Sequence, residues 1–98
     1  MPVLSVEYTS RFRKDVKRLR KKSFDMAPLR DVIGLIERND VDSLEELRRR
    51  RRMHALKGVW AGVNECHIAN LGDWLLVWQT ANGVAVLLRT GTHQEIFR

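Results

Sequence analysis

Ninety-eight residues, 44% hydrophobic and 31% charged, have the composition of one small globular domain spanning residues 1–98. The longest apolar run, Trp74-Leu75-Leu76-Val77-Trp78, falls far short of the roughly 18 residues that mark a membrane span, so no membrane association is expected. Eighteen Lys and Arg against twelve Asp and Glu give +6, and the surplus is uneven: residues 1–52 hold fifteen basic and nine acidic groups, residues 53–98 three of each. A field this localised attracts polyanions, either nucleic-acid phosphate or the carboxylates of a protein partner.

The first residues carry neither a basic n-region nor an apolar h-region, and the lone Cys66 cannot close an internal disulfide, which fits a reducing, cytoplasmic setting. Residues 3–8, Val-Leu-Ser-Val-Glu-Tyr, are β-prone, and Thr9 or Ser10 then offers an oxygen to cap a helix. Phe12, Val16 and Leu19 recur at helical spacing, which predicts a helix with a narrow apolar stripe and basic outer faces. A second helix begins after Asp25, tolerates Pro28 in its first turn and carries Leu29, Val32, Ile33 and Ile36 on one side. The two helices predict a hairpin. Residues 40–52 offer only Leu44 and Leu47 among charges and are read as a connector ending in five consecutive arginines.

After Gly58 and Gly62 the pattern turns to β. Residues 63–69 and 74–80 are strand-like, and Asn82-Gly83 ahead of residues 84–88 signals a tight hairpin. The expected architecture is α+β in the order β-α-α-β-β-β: a mainly antiparallel sheet that includes the N-terminal strand, covered on one face by the helical hairpin.

The polar residues left outside this scaffold are His54, Lys57, Glu65, His67, Asp73, Arg89 and His93, with Trp60, Trp74 and Phe97 as aromatic neighbours. Alternation along residues 63–69 sends Glu65 and His67 to one face and Cys66 to the other, so Cys66 reads as a small core residue rather than a nucleophile. The histidines stand thirteen and twenty-six residues apart, which matches no metal-ligand spacing; no metal and no cofactor is expected. Three imidazoles suit acid–base chemistry. Cleaving RNA without a metal needs a base for the 2′-hydroxyl proton and an acid for the leaving 5′-oxygen, and Arg89 or Lys57 could stabilise the charge on the phosphate. A competing reading is a non-catalytic nucleic-acid-binding module or corepressor, which the basic composition favours but which needs none of the histidines.

Four blocks in order carry a resemblance. His54-Ala55-Leu56-Lys57-Gly58-Val59-Trp60-Ala61-Gly62, Glu65-Cys66-His67-Ile68, Asp73-Trp74-Leu75-Leu76-Val77-Trp78 and Arg89-Thr90-Gly91-Thr92-His93-Gln94-Glu95-Ile96-Phe97 resemble the corresponding segments of the RelE superfamily of bacterial toxin ribonucleases, specifically its YafQ branch. The resemblance implies a small sheet with an N-terminal helical hairpin and metal-independent cleavage of messenger RNA on the ribosome. It further implies a type II toxin held inactive by a cognate antitoxin. By position it implies a catalytic set of His54, His67, Asp73 and His93, with Phe97 placing the scissile nucleotide and Arg89 on the phosphate. Glu65 stands where the branch usually has aspartate, and the 70–72 segment is longer than the pattern. Arg48, Arg49, Arg50, Arg51 and Arg52, with the basic helix, lie outside the matched blocks and are expected to dock on ribosomal RNA phosphate without doing chemistry.

Overall fold

The structure, a computed structural model, describes residues 2–69 and 72–97. Strand β1 (Ser5–Tyr8) leads into α1 (Ser10–Lys21), α2 (Ala27–Arg38) and α3 (Val41–Arg50). Then come the two-residue β2 (His54–Ala55), a 3-10 turn (Gly58–Trp60), β3 (Asn64–His67), β4 (Leu75–Ala81), β5 (Val84–Gly91) and a short α4 (His93–Phe97). The strands form one sheet in the order β1-β5-β4-β3-β2, with β1 parallel to β5 and the other pairs antiparallel.

Local chemistry fixes the boundaries. Thr9 caps α1, its Oγ1 accepting from the Phe12 amide at 3.0 Å. Pro28 sits in the first turn of α2, which ends on Asn39 in the left-handed region at φ 51°. Asn82 and Gly83 both have positive φ, 53° and 79°, the primed turn expected between β4 and β5.

Residues 40–52 are not the connector that their charge density suggests. Asp40 caps α3, accepting from the Ser43 amide at 2.7 Å, and Leu47 is fully buried. Two leucines at a three-residue spacing suffice because α3 lies on α2, which supplies most of the apolar surface.

The sheet is covered on both faces. Phe12, Leu19, Leu29, Val32, Ile36 and Leu47 of the helices meet Cys66, Ile68, Leu76, Trp78, Ala85 and Leu87 on one side. On the other side Val63, Leu75, Val77 and Ile96 form a smaller cluster edged by Leu56, Trp60 and Phe97. The apolar run of β4 is therefore a central strand buried on both faces, not a membrane segment; among the described residues no helix is long and apolar enough to cross a membrane.

Where β1 ends, α1 takes over the free edge of β5. The ladder between β4 and β5 slips at Val77/Trp78, with Val77 opposite Arg89 and Trp78 opposite Leu87, so Leu88 forms a bulge. Thr9 docks there, its amide donating to the Leu87 carbonyl and its hydroxyl to the Leu88 carbonyl. Further along α1, the buried Asp15 carboxylate accepts from Arg89 Nε at 2.7 Å and the Thr90 amide at 3.1 Å. It also accepts from Arg18 Nη1 at 2.7 Å. Arg18 reaches onward to Glu95 of α4, Nε to Oε2 3.0 Å. Glycine is favoured at Gly91, whose φ of 149° L side chains rarely adopt and where a Cβ would press on the ends of Glu95 and Arg18.

Burial alone would raise the Asp15 pKa, but hydrogen bonds from Arg89, Arg18 and the Thr90 amide more than offset this and hold the carboxyl below its usual value. Glu95 is lowered too, chiefly by the Thr92 amide. A depressed carboxylate pKa contributes stability above the unfolded-state value of about 4, lost as pH falls through the folded value. Denaturant midpoints should therefore drop steeply below about pH 4. Asp15→Asn should cost about 3 kcal/mol at neutral pH and flatten that acid limb, both read by urea titration followed by circular dichroism.

Candidate active site

The sheet face opposite the helices gathers the polar residues. Alternation along β3 puts Glu65 and His67 here and Cys66 in the helix-side core, as the sequence predicts. Burial pushes the Cys66 thiol up to about 12, Arg51 opposing and Glu65 reinforcing the shift, so it is no nucleophile at neutral pH. On β2, His54 lies opposite Glu65, with Nε2 3.4 Å from Glu65 Oε1 and Nδ1 2.9 Å from the Arg52 carbonyl oxygen. Both ring nitrogens of His54 thus face acceptors. The Glu65 carboxylate, 4% exposed as a residue, sits beneath the imidazole.

Asp73 immediately precedes the central strand, and His93 opens α4 after β5. Their side chains meet: His93 Nδ1 is 2.6 Å from Asp73 Oδ1, and the His93 amide donates to both carboxylate oxygens at 3.2 Å. A carboxylate can only accept, so Nδ1 carries the proton and Nε2 is directed away from Asp73. His67 stands across from it, ring centroids 6.4 Å apart, with no hydrogen bond to its ring nitrogens among the described residues. Phe97 lies 6.1 Å from His93 and packs edge-on against Trp60 at 4.9 Å, giving the site an aromatic wall.

Not every expected residue joins this group. Arg89 is turned toward α1, with Nε and Nη2 on Asp15 and Nη2 also 3.3 Å from the Glu95 carbonyl. Lys57 is exposed before the 3-10 turn, with no ion pair to the site among the described residues. Trp74 is core, its Nε1 donating to Thr90 Oγ1. Asn70 and Leu71 of the longer 70–72 segment lie outside the described residues.

The five arginines differ in their contacts. Arg48 and Arg49 pair with Glu45. Arg51 donates from Nη1 to the Ile68 carbonyl at 2.8 Å, and its own carbonyl accepts from the His67 amide at 2.7 Å. Arg50 and Arg52 line a cavity of about 290 Å³ together with His67, Ala69 and Gly72. Sequence reasoning had no signal for this, because it depends on how the end of α3 is threaded along β3. Among the described residues no group of three or more His, Cys, Asp or Glu is placed to hold a metal ion.

Comparison with known proteins agrees with this geometry. Residues 4–98 match the profile of the bacterial toxin of type II toxin-antitoxin system, YafQ. The chain is 30% identical over 92 residues to the mRNA interferase toxin YafQ of Escherichia coli K12, covering 94% of each chain. A crystal structure of YafQ from Escherichia coli BL21(DE3) superposes with a TM-score of 0.83 at 28% identity, over 97% of this chain and 99% of that one. A copper-bound mutant toxin from Helicobacter pylori superposes at 0.84 with 33% identity, over 96% and 99%. The fold is that of a small bacterial toxin, and the chain belongs to the YafQ family of type II toxin-antitoxin toxins.

The Asp73 contact has a direct spectroscopic consequence. In its neutral form His93 should be the Nδ1–H tautomer, and Asp73→Asn should abolish that preference, as read from long-range ¹H–¹⁵N correlation of the imidazole. An unchanged tautomer ratio in the variant would show that Asp73 does not orient the ring.

Proposed function

We propose that this toxin is a metal-independent endoribonuclease that cuts mRNA on the ribosome by attack of the 2′-hydroxyl on the adjoining phosphate. The observation that carries this reading is the juxtaposition of His67 and His93, ring centroids 6.4 Å apart, with His93 held by Asp73. Two imidazoles so placed supply both proton transfers. His67, free of ring hydrogen bonds among the described residues, takes the proton of the 2′-hydroxyl. The 2′-oxygen bonds to phosphorus, the bond to the 5′-oxygen breaks, and protonated His93 gives its Nε2 proton to that leaving oxygen. Asp73 stabilises the imidazolium before transfer. His54, between the Arg52 carbonyl and Glu65, suits charge stabilisation better than proton abstraction, because both nitrogens are already occupied. Phe97, backed by Trp60, offers a surface for the base of the scissile nucleotide, and exposed Lys57 adds positive charge beside it.

The charge surplus of residues 1–52 suits docking on ribosomal RNA in the cytoplasm. The partner in this reading is a cognate antitoxin, as Escherichia coli YafQ is found in complex with DinJ.

Cleavage should leave a 2′,3′-cyclic phosphate or 3′-phosphate and a 5′-hydroxyl, and should persist in chelator. His93→Ala should lose at least about a hundredfold in single-turnover rate on programmed ribosomes. Fragments carrying a 5′-phosphate would exclude the mechanism. Equal RNA binding by wild type and His93→Ala with no cleavage by either would instead favour a non-catalytic binding module.

A further inference from the structure

The arginine run ends in an arrangement that docking alone does not require. The C-terminus of α3 is closed by the Arg51 amide on the Leu47 carbonyl, and the Met53 amide returns to the same carbonyl at 3.0 Å. Between them Arg52 adopts the left-handed region at φ 55°, a conformation that an unbranched polar residue other than Asn rarely takes and that is often found at ligand sites. The turn is pinned from both sides: the Arg51 carbonyl accepts from the His67 amide, and the Arg52 carbonyl meets His54 Nδ1. Arg51 is thereby laid along the end of β3, while Arg50 and Arg52 open onto the cavity beside His67.

The chemistry of this cavity is selective. Among the described residues its lining is two arginines, one histidine, Ala69 and Gly72, with no carboxylate to compete for the guanidinium groups. Arg50 and Arg52 have no ion pair among the described residues, in contrast to Arg48 and Arg49, which share Glu45. At about 290 Å³ it has room for a phosphodiester with part of its ribose. Guanidinium groups bind phosphate oxygens through paired N–H donors. His67 also faces His93, so the cavity and the reacting centre share one wall.

We infer that Arg50 and Arg52, beside His67, form a subsite for an RNA phosphodiester adjoining the one that is cut, so that these two arginines set the register of the strand across the histidines. The inference rests on the ribonuclease reading for the identity of the neighbouring site, but not for the binding itself.

The test uses a non-cleavable 2′-O-methyl tetranucleotide whose three phosphates are replaced one at a time by neutral methylphosphonate, with binding followed by fluorescence anisotropy. Wild type should lose affinity at two adjoining positions. Arg50→Gln combined with Arg52→Asn, chosen because Asn accepts the left-handed backbone and keeps the carbonyl that holds His54, should bind the all-phosphate strand about tenfold or more weakly. It should also become insensitive at one of the two positions, and its salt slope should fall by about 0.7. Arg50→Gln alone, on the exposed helix end, should move the same way to a smaller extent. Arg48→Gln with Arg49→Gln should weaken all strands evenly and leave the positional pattern intact.

Retention of both sensitive positions in the Arg50/Arg52 variant, even loss across all three positions in wild type, or no saturable binding by wild type would each overturn the subsite. The two readings can fail separately. Wild type that gives the two-position pattern but cuts no RNA, with or without ribosomes, keeps the subsite and removes the ribonuclease. Wild type that cuts RNA without the pattern does the reverse.

Discussion

A buried carboxylate must find hydrogen-bond donors within the protein, and for Asp15 they come from its own helix and from a strand 74 residues away. Arg18, Arg89 and the Thr90 amide together satisfy both of its oxygens. The constraint reaches beyond that pair. Arg18 also touches Glu95, and Arg89 also touches the Glu95 carbonyl, so the same charges that seat α1 on β5 hold α4 in place. Since α4 begins with His93 and ends with Phe97, the placement of the imidazole and the aromatic wall is inherited from a network on the other side of the strand.

The sheet separates two tasks. Its helix side buries most of the apolar surface and supplies rigidity. The opposite side keeps only a small apolar cluster, which leaves His67, Asp73 and His93 partly or fully in contact with solvent at its margin while Glu65 is buried beneath His54. His67 is thus carried by a strand whose other face is fixed, and His93 by a short helix tied to that sheet, which limits their motion without burying them.

Much of this division can be read from the chain. Period-two alternation sorts Glu65 and His67 from Cys66, Asn82-Gly83 marks its turn, and the blocks around His54, His67, Asp73 and His93 bring the site residues into one family pattern. Other features are invisible there for physical reasons. The helix at 41–50 lacks a broad apolar stripe of its own and depends on α2 for burial. A two-residue strand such as β2 has no periodicity to detect. Arg89 looks like an available cation because the carboxylate that claims it is distant in sequence, and the run 48–52 looks uniform because each arginine's role is set by a backbone turn at Arg52 rather than by its neighbours.

The sheet order joins the first strand to the last. Ser5 pairs with Val84, and α1 lies on the edge of β5, beyond the hairpin at Asn82-Gly83. Contacts of such long sequence separation bear the full loop-closure entropy before they return any energy, which slows folding relative to a locally wired chain of equal length. Residues up to β4 hold a helical layer and part of a sheet but no partner for β1, and of the donors to Asp15 only Arg18. A chain that ends before β5 is therefore an incomplete layer, and α4, which bears the last imidazole, follows directly on the strand that completes the sheet.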